Sequence, residues 1–159
     1  MAEVTDVSQP RPFRILPRLT QENRFFWTSG ADGRLRFLRC QTCRDYVHPP
    51  TPICPHCLTK TLAPEPVSGR ATVASYTINV QPWIPGFDPP YVIAIVEMEE
   101  EPAVRLTTNI VGCAPDDVHI AMPVQVTFEQ YDDVWLPLFQ PAQPVQPVSA
   151  AKAGSAVTP

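Results

Sequence analysis

The second half of the chain alternates between apolar and polar positions. Thr72, Ala74, Tyr76, Ile78 and Val80 interleave with Val73, Ser75, Thr77 and Asn79. Val104, Leu106, Thr108 and Ile110 do so with Arg105, Thr107 and Asn109, and Val124, Val126 and Phe128 with Gln125, Thr127 and Glu129. A period of two predicts half-buried strands. Tyr91 to Met98 is apolar on both faces, and Val134 to Phe139 completes a set of five. Five short strands, with an irregular connection from Gly112 to Met122 between the third and fourth, match a small Greek-key barrel of OB type. A sandwich is the alternative.

The first part of the chain follows other rules. Leu19, Asn23, Phe26 and Trp27 share one side of a helical wheel, with Thr20 placed to cap and Gly30 just past the end. One short amphipathic helix is predicted from Leu19 to Ser29. Its aromatic run, Phe25-Phe26-Trp27, either packs on the chain's own core or faces a partner. After an Asp32-Gly33 turn, Leu35, Phe37 and Leu38 lead as a strand into Cys40. Leu58 to Pro66 reads as a Pro-bearing linker. The expected organisation is a flexible arm (1–17), a helix and ribbon (18–64), a barrel (65–141) and a disordered tail (142–159). The Ala, Val, Pro, Gln and Ser of that tail cannot bury enough surface to order themselves.

Four cysteines change the picture most. Cys40 and Cys43, then Cys54 and Cys57, form two C-x-x-C pairs ten residues apart. Two such hairpins present four thiolates to one point, the spacing of a zinc ribbon, and a d¹⁰ ion accepts them as a tetrahedron. Four thiolates close the coordination sphere, so the ion is expected to be structural. Iron in a Cys₄ site is the alternative that thiolates also accept. A disulfide framework is disfavoured because Cys113 makes the count odd and no signal peptide is visible, and a redox C-x-x-C lacks its βαβ setting. His48 and His56 lie beside the ligands and are read as loop histidines.

Twenty-one prolines and six glycines favour short strands over long helices. No apolar run approaches the length of a bilayer span, and Met1 to Pro10 lacks a basic start and an apolar core, so no membrane association and a cytoplasmic location are expected. Residues 1–64 carry nine Lys/Arg and five Asp/Glu, whereas residues 65–140 carry two and eleven. Arg34, Arg36, Arg39 and Arg44 gather around the ribbon, either to meet phosphates or as a solvated face. A barrel with a formal charge of −9 speaks against nucleic acid, which needs a basic track.

Two loops stand out. Gln81 to Pro90 holds four prolines and places Trp83, Ile84 and Phe87 where solvent is expected. Prolines lower the entropy cost of holding apolar side chains outward, so this loop with Tyr91 is a candidate contact surface. The alternative is a cap over the barrel mouth. Glu97 to Glu101 sets four carboxylates around Met98, read as a solvated hairpin that could hold a cation weakly. Cys113 reads as a small buried hydrophobe rather than a nucleophile. His119 has no recognisable triad companions, and no G-x-S-x-G, H-E-x-x-H or phosphate-cradling glycine loop is present.

The order of these features carries a resemblance. The helix with Phe26-Trp27, the lead-in from Leu35 to Cys40, Pro49-Pro50 before Cys54-Pro55-His56-Cys57, Ser68-Gly69 opening the barrel, Pro90-Tyr91-Val92-Ile93 and Leu136-Pro137-Leu138-Phe139 form a series. Over roughly residues 18–141 it resembles the zinc-ribbon plus OB-fold family of acyl-CoA-associated proteins, long described as a domain of unknown function. The resemblance implies a non-catalytic subunit that pairs with a thiolase-fold thiolase or retro-aldolase in a hetero-oligomer. It also implies acyl-CoA at or near the interface, in lipid, steroid or aromatic catabolism. Cys40, Cys43, Cys54 and Cys57 match the family's metal set, and the Trp83-to-Pro90 loop lies where its variable, partner-facing loop would be. The chain departs from the pattern at Glu100-Glu101-Pro102 and at Ala121, where glycines are usual. The competing functions are a nucleic-acid-binding module and a stand-alone enzyme acting on acyl thioesters through Cys113 or His119.

Overall fold

The computed structural model describes residues 13–83 and 86–142. The expectations for Ile84, for most of the arm and for nearly all of the tail fall outside the described residues.

Chain order gives one helical turn, a three-stranded sheet and a closed barrel. The helix is shorter than its periodicity predicts: α1 spans Arg24–Trp27 only, followed by a 3₁₀ turn at Ser29–Asp32. Asn23 is the N-cap of α1, and Thr20 closes the turn that leads into it. The Thr20 hydroxyl accepts from the Asn23 N–H at 3.3 Å, the Asn23 side chain accepts from the Thr20 N–H at 2.8 Å, and the Arg24 N–H reaches the Thr20 carbonyl. Gly30 does not end the helix; Gly33 does the turning, at φ 73°. Gly30 is instead a point of close approach, where a Cβ would lie 2.5 Å from Phe128 Cδ1 and 2.6 Å from Trp135 Cβ. The helical segment rests directly on the barrel there.

The ribbon sheet has the order β2-β1-β3, with β1 at Arg36–Cys40, β2 at Tyr46–Val47 and β3 at Leu62–Pro66. Strand β3 is a correction to the linker reading. It pairs antiparallel with β1 from Arg36↔Pro66 to Cys40↔Leu62. Pro64 and Pro66 mask it in the sequence, yet an edge strand tolerates proline because its outer N–H groups need no partner.

The five predicted barrel strands are all present: β4 Arg70–Asn79, β5 Tyr91–Met98, β6 Arg105–Ile110, β7 Pro123–Tyr131 and β8 Val134–Pro141. They close in the order β4-β5-β6-β8-β7, the Greek-key path of an OB-fold. One face assignment is corrected. Ala71 and Val73 point inward, and a bulge between Val73 and Ser75 then shifts the register of β4. Strict alternation cannot reveal a bulge, because one extra residue exchanges the two faces.

Ribbon and barrel share one core. Phe26, Leu35 and Phe37 belong to the same buried cluster as Val73, Val92, Val96, Met98, Val124 and Phe139. Ala121 has φ 64°, so the turn still takes the left-handed conformation for which glycine is usual, and its N–H bonds the Val73 carbonyl at 2.8 Å.

Candidate metal centre and binding face

Each C-x-x-C pair is built by the same backbone device. The Arg44 N–H returns to the Cys40 carbonyl and the Leu58 N–H to the Cys54 carbonyl, both at 3.0 Å. The Cys40 N–H meets the Asp45 carbonyl, and the Cys54 N–H the Thr59 carbonyl, both at 2.9 Å. The residue after each pair is left-handed, Arg44 at φ 69° and Leu58 at φ 59°. Neither is glycine, so each turn carries a cost of about 1 kcal/mol.

The two turns bring four sulfurs within 4.8 Å of one another. Cys40 Sγ and Cys57 Sγ are 3.5 Å apart, and Cys43 Sγ and Cys54 Sγ 3.6 Å. A tetrahedron with metal–sulfur bonds of about 2.3 Å has edges of about 3.8 Å, so the cluster is sized for such an ion. All five cysteines are unbridged. The Thr59 hydroxyl lies 3.5 Å from Cys40 Sγ and 3.2 Å from Cys57 Sγ, and the Thr42 N–H points at Cys40 Sγ.

These groups favour thiolate, but the four sulfurs cannot all ionise alone. The Thr59 hydroxyl, then the Cys43 N–H, pull Cys40 down to about 5, and Thr59 lowers Cys57 as well. The Asp45 N–H draws Cys43 in the same direction. Burial, the Asp45 carboxylate and the neighbouring sulfurs of Cys40 and Cys54 outweigh it and push that thiol well up. A bound cation removes this conflict by compensating the charge of the whole cluster. The donor set therefore fits a closed, structural metal site.

Neither nearby histidine joins the cluster. His56 Nδ1 bonds Asp45 Oδ2 at 2.6 Å. His48 lies against Phe26 and Phe37, with both centroids 5.0 Å away. Burial there lowers its pKa from 6.5 to about 4. A neutral imidazole is favoured in the folded chain, so the unfolded chain takes up the proton first as pH falls. Stability is complete above pH 6.5 and is lost as pH drops towards about 4, by at most about 3 kcal/mol. Comparing urea midpoints of the wild type and His48→Phe across that range isolates this contribution, since proton competition for the thiolates affects both alike. The wild type is expected to lose more stability on acidification, and parallel curves would refute this.

Three of the four ribbon arginines, Arg36, Arg39 and Arg44, have partners within the chain. Arg36 bonds Asp32 at 2.8 Å, while Arg39 and Arg44 converge on Glu65 at 3.1 and 3.3 Å. Arg39 also covers the Tyr46 ring at 4.7 Å. These pairs tie β3 to β1, and their engagement weakens the phosphate reading. The acidic hairpin is likewise engaged: Glu97 pairs with Arg105, Glu99 with Arg70, and Glu100 accepts from the Ser68 N–H.

The predicted surface residues divide. Phe26 is only 3% exposed, which corrects any reading of it as a contact residue; its ring serves the core. Trp27 stands edge-on to it at 4.8 Å, half-buried. Trp83 is 72% exposed, and its indole N–H donates to Asn79 Oδ1 at 2.7 Å, so it is held outward by a fixed bond. The Phe87 and Tyr91 rings meet at a tilt with centroids 4.3 Å apart, and both are half-buried. Cys113 is half-buried and its thiol is pushed up by burial, which leaves it protonated at neutral pH.

Sequence reasoning missed Arg14. It forms an ion pair with Glu129 at 2.9 Å, donates to Asn109 Oδ1 at 2.9 Å and lies 4.4 Å over the Phe87 ring. The Phe13 N–H reaches the Gly86 carbonyl at 3.1 Å. Residues 13–16 thus form a strap across the barrel instead of a free arm. With Trp27, Tyr91 and strands β6 and β8 they line a cleft of about 390 Å³. A lone arginine in an aperiodic segment offers no signal from which this could be read.

Comparison with known proteins follows this architecture. A family model described as "ChsH2, rubredoxin-like zinc ribbon domain" matches residues 27–63, and one described as "ChsH2, C-terminal OB-fold domain" matches residues 64–129. A solved structure described as "Ltp2-ChsH2(DUF35) aldolase" is 37% identical with a TM-score of 0.72, covering 79% of this chain and 98% of that one. A "Probable enoyl-CoA hydratase alpha subunit" of Thermomonospora curvata is 38% identical over 86% of this chain, but the match spans only 42% of that relative. The "DUF35 domain-containing scaffold protein" of Methanocaldococcus jannaschii is 40% identical over 58% of this chain and 66% of its own length. The chain thus spans less than half the length of the hydratase subunit it matches. A four-cysteine ribbon followed by a closed five-stranded barrel, matched by both models, places the chain in the ChsH2/DUF35 family.

Proposed function

We propose that this chain is a non-catalytic accessory subunit that binds and stabilises a thiolase-fold enzyme, a thiolase or retro-aldolase, acting on acyl-CoA. The carrying observation is its near-complete coverage of the chain in the aldolase structure, with both modules in the same order. The hydratase names belong to relatives more than twice the matched length, so hydratase chemistry is not carried over. The unionised Cys113 and the closed sulfur cluster support a binding role over a catalytic one. On this reading the ion held by Cys40, Cys43, Cys54 and Cys57 is structural zinc. The ribbon (18–64) and barrel (65–141) act as one body in the cytoplasm, and the complex serves lipid, steroid or aromatic breakdown with acyl-CoA near the interface.

Affinity purification from the native host at low and moderate salt, with mass spectrometry of what co-elutes, tests the proposal. A stoichiometric thiolase-fold protein is expected; nucleic acid, or no partner, would overturn it. Trp83, Phe87 and Tyr91 are the proposed contact residues of the loop. Trp83→Ala is expected to weaken the purified complex by about 2 kcal/mol, as loss of an aromatic anchor does. Calorimetric titration reads this directly, and unchanged affinity would leave Trp83 outside the interface.

A further inference from the structure

We infer that the partner is received on the outer face of β5 and β6 together with the Phe13–Leu16 strap, and that its matching surface is apolar at the centre and basic at the rim. This rests on the accessory-subunit reading and adds to it a location and a chemistry.

Three observations converge. The first is a stretch of sheet face that carries no charge between the Glu97–Arg105 pair at one end and Arg14, bonded to Asn109, at the other. Along β5, Val92, Ala94 and Val96 fill the barrel, yet the outward Ile93 and Ile95 are also aliphatic and remain 37% and 38% exposed. Their cross-strand neighbours are Thr77 and Ser75 on β4 and Asn109 and Thr107 on β6, all uncharged. An antiparallel sheet facing water normally alternates apolar with polar, and a face depleted of charge with aliphatic residues at its middle is the composition of an interface core. In OB barrels the face of the second and third strands, here β5 and β6, is the one that takes oligonucleotides and oligosaccharides, so it is a face on which ligands are received in this fold.

The second is the strap. Glu129 and Asn109 neutralise and fix the Arg14 side chain, which leaves Phe13 and Ile15 held outward at the edge of this face. Strap, Phe87 and Tyr91 wall the cleft that opens beside Ile93, with room for a large apolar side chain of a partner. The third is the rim. The loop before β5 contributes Asp88, and the hairpin after it contributes Glu97, Glu99, Glu100 and Glu101. Arg105 and Arg70 are spent on Glu97 and Glu99, and Glu100 is held by the Ser68 N–H with Arg70 nearby, so Asp88 and Glu101 are left with no ion pair among the described residues. A second copy of this chain would set like charges against like around the face. A basic rim on a different protein complements it.

The test uses the full chain and the purified thiolase-fold enzyme recovered with it. Thr107→Lys and Ile95→Glu, which place charge in the middle of the face, are each expected to weaken binding by about 30-fold or more, the loss of an interface core position. Ile120→Glu, at another exposed apolar position outside the face, is expected to change it by less than about 3-fold. Thr107 is exposed, so its variant tests the surface even if Ile95→Glu proves unstable. The association rate of the wild type is expected to fall as salt rises, through screening of the opposed rims. Wild-type affinity in Thr107→Lys would overturn the surface while leaving the accessory role intact, and a salt-independent rate would overturn the basic rim. A wild-type chain that binds no thiolase-fold enzyme would overturn both the role and this surface, and one that pairs with itself through Ile95 would overturn the surface alone.

Discussion

Cys54→Ser is expected to abolish metal binding and unfold the ribbon. Cys54 is fully buried within the sulfur cluster, and its loss leaves three ligands with no replacement among the described residues. Apparent binding free energies for structural zinc are about 10 to 16 kcal/mol at neutral pH, as large as the whole stability of a small domain. Little else orders the segment: β2 has two residues, β3 is an edge strand, and two left-handed non-glycine turns must be held. The expected result is loss of the ion by elemental analysis and rapid amide exchange over residues 36–66, with protection retained, though weakened, over 92–96. Removing the ion from the wild type with a chelator should reproduce the pattern. A metal-free variant with a protected ribbon would refute the claim that binding and ribbon folding are one event.

Phe37→Ala is expected to destabilise the metal-loaded chain by about 3 to 5 kcal/mol, the usual cost of truncating a buried phenylalanine. Phe37 is 1% exposed and packs in a triangle of rings with Phe26 and His48, in the cluster that continues into Val73, Val92 and Phe139. Because that cluster is continuous, the loss should appear as one shifted urea transition reported alike by ribbon and barrel probes. Two separate transitions, or a shift below about 1 kcal/mol, would show that ribbon and barrel fold independently.

The sequence by itself determined the features whose physics is local. The two C-x-x-C pairs define their own chelate, because each needs only three intervening peptide units and a turn. The five barrel strands announce themselves through period two, because one face of each meets a core. The Asp32-Gly33 turn and the turn closed by Thr20 likewise depend only on neighbours in the chain. Only the tertiary structure decided the rest. It made Leu62–Pro66 a strand, because pairing with β1 outweighs two prolines at an edge. It confined the helix to Arg24–Trp27 and set Gly30 against Phe128 and Trp135, where a side chain would not fit. It set the β4 register through a bulge, and it paired Arg36, Arg39 and Arg44 at the surface with Asp32 and Glu65. It also fastened Arg14 to Glu129, a residue 115 positions away. Such contacts join residues distant in sequence, and no local period or spacing encodes which distant partner a side chain will meet.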